Sequence, residues 1–141
     1  MTGEGEIAWA NGSKYTGQFK NGKMDGSGIY TFPNGDTFTG AVENNLFNGE
    51  GEIEYRNGDR YEGNFKDGKK HGEGTMKYQD GKEYYGEWRN DEMQPTGKMT
   101  WADGKKYEGG WKNSKMHGEG VLTMPDGRTE EGIWENGILK P

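Results

Sequence analysis

The strongest constraint on this chain is a period of 23 residues that never slips. From Gly3 to Lys140 the sequence divides into six consecutive blocks, 3–25, 26–48, 49–71, 72–94, 95–117 and 118–140, with no insertion or deletion. Repetition this regular means supersecondary units that stack and share one continuous core, because no single unit of this size buries enough surface alone.

Each block reads as two short strands. The first follows a Gly-x-Gly step and alternates large apolar residues at period two: Ile7 and Trp9, Tyr30 and Phe32, Met99 and Trp101. The second reads aromatic-x-Gly-x-aromatic: Tyr15, Gly17, Phe19, then Tyr61, Gly63, Phe65, then Tyr107, Gly109, Trp111. Period-two alternation rich in aromatics argues half-buried strands. Interior glycine argues against helix, at about 1 kcal/mol each relative to alanine.

Between the two strands every block carries Asn-Gly or Asp-Gly, and Pro33 and Pro125 precede it in two blocks. Parity selects the loop length. A two-residue loop would put Trp9 and Tyr15 on opposite faces. A three-residue loop, with glycine in the left-handed position, pairs Ile7 with Tyr15 and Gly3 with Phe19 and gathers the aromatics on one face. There a ring can lie over a glycine of the neighbouring strand and shield its backbone. The opposite face is expected to carry Glu6, Gln18, Thr31, Arg56, Glu62, Glu87 and Glu108 and to be wet. The predicted fold is all-β: a single-layer antiparallel β-meander of six tandem hairpin repeats, about twelve strands, elongated to roughly 55 Å at about 4.8 Å per strand and twisted or trough-shaped.

Composition matters mainly for what it excludes. Leu, Ile, Val and Phe are scarce and mean hydropathy is −1.25, values that by themselves suggest disorder. The 13% aromatic content and the placement of the 27 glycines in register overrule that reading. Without cysteine there is no disulfide or thiolate chemistry. The acidic start, Met1-Thr2-Gly3-Glu4, is not expected to be a secretory leader, and no apolar run approaches the roughly 18 residues of a membrane span. A net charge of −6 opposes nucleic acid and anionic lipid. Lys20, Lys66, Arg89 and Lys112 form a basic column, but acids are interleaved with it.

Catalytic chemistry finds no footing. His71 and His117 occupy the same repeat position two blocks apart, so four strand spacings, about 19 Å, separate them. Ligands of one zinc ion must lie about 2 Å from it, so the two cannot share a metal. The Gly-rich segments lead into no helix and cannot act as phosphate loops. The expectation is no enzyme, no cofactor and no metal site. The candidate site is the aromatic face, because a single layer leaves a contiguous apolar surface. Its expected contact residues are Tyr61, Phe65, Tyr84, Trp88, Tyr107 and Trp111, where the aromatic pattern is least interrupted. Met24, Phe47, Met93, Met116 and Leu139 form a further apolar column, expected to fold over those rings.

The segments YEGNFKDGKKHGEG, Tyr61 to Gly74, and YEGGWKNSKMHGEG, Tyr107 to Gly120, resemble the MORN repeat family (membrane occupation and recognition nexus), and the likeness extends over nearly the whole chain. The resemblance implies a non-enzymatic protein-binding scaffold or adaptor, a cytoplasmic subunit of a cytoskeletal or ciliary assembly. Its expected partners are proteins, through a helical or extended segment; the open terminal edge strands, which invite pairing with another chain, add the expectation of self-association or capping by a partner. The alternative it implies is a membrane-associated tether binding acidic phospholipid headgroups, which the charge makes weak. Departures from the pattern are Val42 for an aromatic, Pro95 for a glycine, Glu130 for a tyrosine, and Asn45, Asp91 and Ser114 for a loop glycine. The loops at these last three, and the Pro95 segment above all, are expected to depart from regular shape.

Overall fold

The computed structural model describes residues 2–113 and 115–141. Among these residues thirteen strands form one antiparallel sheet in strict chain order. They are β1 (Gly3–Ala8), β2 (Lys14–Lys20), β3 (Lys23–Thr31), β4 (Thr37–Glu43), β5 (Leu46–Glu54), β6 (Arg60–Lys66), β7 (Lys69–Lys77), β8 (Glu83–Arg89), β9 (Glu92–Thr100), β10 (Lys106–Lys112), β11 (Lys115–Thr123), β12 (Thr129–Glu135) and β13 (Ile138–Leu139). Among the described residues there is no helix. The expected twelve strands become thirteen. Asn136 and Gly137 both take positive φ, 51° and 83°, and turn Ile138–Leu139 back onto Trp134 and Glu135.

The register within blocks follows from the three-residue loop. Ile7 pairs with Tyr15 and Gly3 with Phe19. The loop closes with Trp9 N–H donating to Ser13 O at 2.9 Å and Gly12 N–H to Trp9 O at 3.1 Å, with Gly12 at φ 95°. Blocks two to six repeat that closure, from Phe32 with Asp36 to Met124 with Arg128.

Between blocks the connection is tighter. Asn21 (φ 51°) and Gly22 (φ 79°) form a two-residue turn, as do Asp67 and Gly68. Positive φ at both central positions matches the right-handed twist of the flanking strands. Asn45 and Asp91 take φ 68° and 69° and keep the same turn, so the expected change of shape does not occur there; Ser114 lies outside the described residues. Asn and Asp reach this region because a short polar side chain bonds locally and offsets its cost.

Each between-block hairpin contains a bulge that period-two reading does not reveal. From Gly17↔Gly28 to Phe19↔Met24, β2 spends one residue, Gln18, where β3 spends three, Asp25 to Ser27. The same offset recurs in the next four such hairpins. Pro95 sits in this bulge, inside β9 rather than in a loop. The irregularity expected of it is confined to the ladder with β10, which ends at Gly110↔Thr96, one pair short of its equivalents.

The core is one ring deep. Tyr15, Phe38, Tyr61, Tyr84 and Tyr107 are fully buried. Each covers a glycine of the next strand: a Cβ on Gly28 would fall 2.5 Å from Tyr15 Cε1, and one on Gly74 2.5 Å from Tyr61 Cζ. Glycine there is the seat of the ring. In the last block Glu130 is exposed, and Leu139 from β13 stands over Gly132 instead. Val42 is buried in the position of an aromatic.

Candidate partner-binding face

The rings join into a continuous chain. Within a block the two aromatics meet edge to face: Tyr61–Phe65 at 5.3 Å, Tyr84–Trp88 at 5.9 Å and Tyr107–Trp111 at 5.1 Å. Between blocks the same geometry links Tyr61 to Trp88 at 5.3 Å, Tyr84 to Trp111 at 5.8 Å and Tyr107 to Trp134 at 5.7 Å. Edge-to-face contact suits the ring quadrupole and adds about 0.5–1.5 kcal/mol per pair beyond area burial.

Each polar handle is satisfied by backbone the bulge exposes. Tyr15 Oη donates to Gln18 O at 2.9 Å, Tyr61 to Asn64 O at 3.1 Å and Tyr107 to Gly110 O at 3.1 Å. Trp88, Trp111 and Trp134 Nε1 donate back to the carbonyls of Gly74, Gly97 and Gly120 at 3.2, 3.2 and 3.1 Å. Burial raises the Tyr61 phenol to about 12, with the neighbouring Tyr55 adding to the rise, and burial also raises Tyr55 to about 12.

The six residues singled out from sequence therefore share one face, but they differ in access. Tyr61, Tyr84 and Tyr107 are sealed, Phe65 and Trp88 nearly so, and Trp111 is half-buried. The outer layer comes from the ends of the first strands, next to the loops: Trp9, Phe32, Tyr55, Tyr78 and Trp101, one in each of the first five blocks. Trp9 is 38% exposed and Ile7 40%. With Tyr30, Phe47 and Leu46 they border an open apolar hollow of about 440 Å³ over the first two blocks. Period-two alternation puts this second row on the aromatic face, but its greater exposure depends on the loop standing beyond it, which pattern alone does not reveal.

The apolar column between blocks folds inward. Met24 is buried, Phe47 stacks on Phe38 at 3.8 Å and 9°, and Met93, Met116 and Leu139 pack on the rings. The third position of this column is Lys70. Its Nζ lies 5.4, 5.5 and 5.5 Å from the ring centres of Tyr55, Tyr61 and Trp88, and burial lowers its pKa.

The opposite face is charged but not wholly polar. Glu6 pairs with Lys14 at 3.2 Å, and Arg60 gathers Glu52, Glu54 and Glu62. Arg56 lies in a loop instead, and Ile29, Tyr85 and Ile133 stand exposed on this face. His71 and His117 lie half-buried on β7 and β11. Among the described residues no three His, Cys, Asp or Glu side chains are placed to hold one metal ion.

A search among curated proteins found no match to this chain. Solved structures that resemble it include two domains. One is the SAS-4 (dCPAP) TCP domain in complex with a proline-rich motif of Ana2 (dSTIL) of Drosophila melanogaster. It is 17% identical, with a TM-score of 0.53, over 93% of this chain and 90% of that one. The other is the G-box domain of the microcephaly protein CPAP, 16% identical with a TM-score of 0.33, over 94% and 100%. The first shares the open-sheet fold. The MORN repeat profile matches five consecutive units, residues 15–37, 38–60, 61–83, 84–106 and 107–127, each beginning at or near a buried ring. With those units covering most of its length, the chain belongs to the MORN repeat family.

Proposed function

We propose that this protein is a non-enzymatic scaffold that holds an extended segment of a protein partner along its aromatic face, within a cytoskeletal or ciliary assembly of the kind MORN arrays build. The observation that carries this reading is the two-tier arrangement of rings. The sealed tier of Tyr61, Tyr84 and Tyr107 is already satisfied and acts as a floor. Among the described residues the half-exposed tier of Trp9, Phe32, Tyr55, Tyr78, Trp101 and Trp111 has no second layer above it. Large, rigid aromatics at low entropic cost are the residues that dominate binding energy at interfaces. An aromatic-lined surface also suits polyproline segments, which are pre-extended. The SAS-4 TCP domain, which shares the fold, is in complex with such a motif.

The test is affinity capture from the native source with wild-type, Trp101→Ala, Trp111→Ala and Glu87→Ala proteins, with thermal melts in parallel. The tryptophan variants should stay folded and lose the captured partner, at about 2 kcal/mol each. Glu87→Ala, on the opposite face, should retain it to within about 0.5 kcal/mol. Loss with Glu87→Ala and retention with both tryptophan variants would move the working surface to the other side of the sheet.

A further inference from the structure

Lys70 breaks the rule of its own column. Where Met24, Phe47, Met93, Met116 and Leu139 cover rings with apolar atoms, block three covers them with an ammonium. Tyr55, Tyr61 and Trp88 surround it at 5.4–5.5 Å. Its backbone is clamped: Lys70 N–H donates to Asp91 Oδ1 at 2.8 Å, and Asp91 N–H donates to Lys70 O at 3.1 Å. The charge of Asp91 acts on it, yet no carboxylate of the described residues lies within 4 Å of Lys70 Nζ. The result is a partly desolvated cation on a clamped backbone, against three rings and without an ion pair among the described residues, in a chain of net charge −6. The three rings offset part of its desolvation, but with no ion pair to complete it among the described residues, a local conflict of this kind marks functional positions.

A second cation repeats the motif. Lys105 lies 4.7 Å from the centre of the Trp101 ring, and among the described residues it too has no ion pair. Lys82 over Tyr78, at 4.9 Å, is partnered by Asp80 at 3.8 Å. By pairing parity Lys70 and Lys105 belong to the aromatic face: Lys70 is opposite Phe65, and Lys105 closes the loop on Trp101.

Resting on the scaffold reading above, we propose that the partner segment on this face is acidic, and that one of its carboxylates pairs with Lys70 while Lys105 receives a second. A carboxylate brought to a cation that rings have already stripped of water gains more than it would at an exposed lysine, because the local dielectric is lower. Charge placed this way also sets the register of an otherwise apolar contact. An ammonium recessed among three rings favours a narrow peptide over a flat bilayer.

The test is selection of a random dodecapeptide phage library on wild-type protein, Lys70→Met and Lys69→Met. Methionine is the residue at three of the five equivalent positions, so Lys70→Met should fold at least as stably as wild type. Lys69→Met removes the same charge from the neighbouring residue, which points the other way. Wild type and Lys69→Met should select peptides with Asp or Glu at a constant position among apolar residues. Lys70→Met should keep the apolar pattern and lose the acid. In titrations, replacing that acid by its amide should weaken wild-type binding about tenfold and leave Lys70→Met unchanged. Acidic selection that persists on Lys70→Met, or apolar peptides selected without an acid, would overturn this inference while leaving the scaffold reading intact. Enrichment of nothing by any variant would remove both. Binding of phosphatidylserine vesicles by wild type that Lys70→Met abolishes would overturn the peptide in favour of lipid.

Discussion

At the scale of the residue, tyrosine does what phenylalanine cannot. The bulge turns carbonyls such as Asn64 O and Gln18 O toward the ring, and a phenol hydroxyl buried beneath the sheet's own side chains satisfies them. Block two, with Phe38, manages without the hydroxyl and instead stacks Phe47 on the ring. Burial makes the tyrosines sensitive to alkali. Tyr61 and Tyr55 ionise near 12 in the folded chain against about 10 unfolded. A raised phenol pKa contributes stability that is fully present below about pH 10 and is lost as pH climbs through 12. Phenolate absorbance should therefore rise in two stages, the later one near pH 12 together with loss of the β-sheet circular dichroism. Tyr55→Phe and Tyr61→Phe should each reduce the later stage. A single stage near pH 10 with the sheet intact would show that these rings are open to solvent.

At the scale of the element, adjacent hairpins are tied at their tips. Asn45 N–H donates to Met24 O at 3.0 Å, and Gly68 N–H to Phe47 O at 2.9 Å. Asn45 returns a second bond, its Oδ1 accepting from Met24 N–H at 2.9 Å. Asparagine at this turn thus takes the left-handed backbone and also clamps the preceding hairpin. Asn45→Ala should cost about 1–2 kcal/mol in urea denaturation, from lost bond and backbone strain together. Asn45→Gly, which removes only the bond, should cost under about 1 kcal/mol. Equal stability of the alanine variant and wild type would refute the clamp. The pairing of Ile7 with Tyr15 is legible in the sequence because parity leaves one loop length that keeps the aromatics together. The bulge is not, since Gly-x-Gly preserves the alternation while two extra residues pass through it. Nor is the Lys70 cage, whose rings come from two blocks and close around it only when the sheet is assembled. The ring positions of the candidate face are legible for the same reason as the register. Their division into sealed and half-exposed tiers is not, because it depends on how far each strand stands from its loop.

At the scale of the whole molecule, every block meets only its neighbours, and the interface between any two is the same interface. Stability should then be a sum of unit and nearest-neighbour contributions. Deleting residues 49–71 joins Asn48 to Gly72, which takes the place of Gly49 inside the strand that Leu46 begins. Asp91 then falls where Gly68 had been and can reach Phe47 O. The shortened protein should retain its circular dichroism, and small-angle scattering should show its longest dimension reduced by about 10 Å, two strand spacings. Deleting twelve residues instead would remove a single strand, reverse the direction of all that follow, and should abolish cooperative folding. The unslipping register gives such a chain the property of a ruler. Whole units can be gained or lost in its gene without re-solving the fold, and each one moves the two ends apart by a constant increment while the side that meets the partner stays the same side.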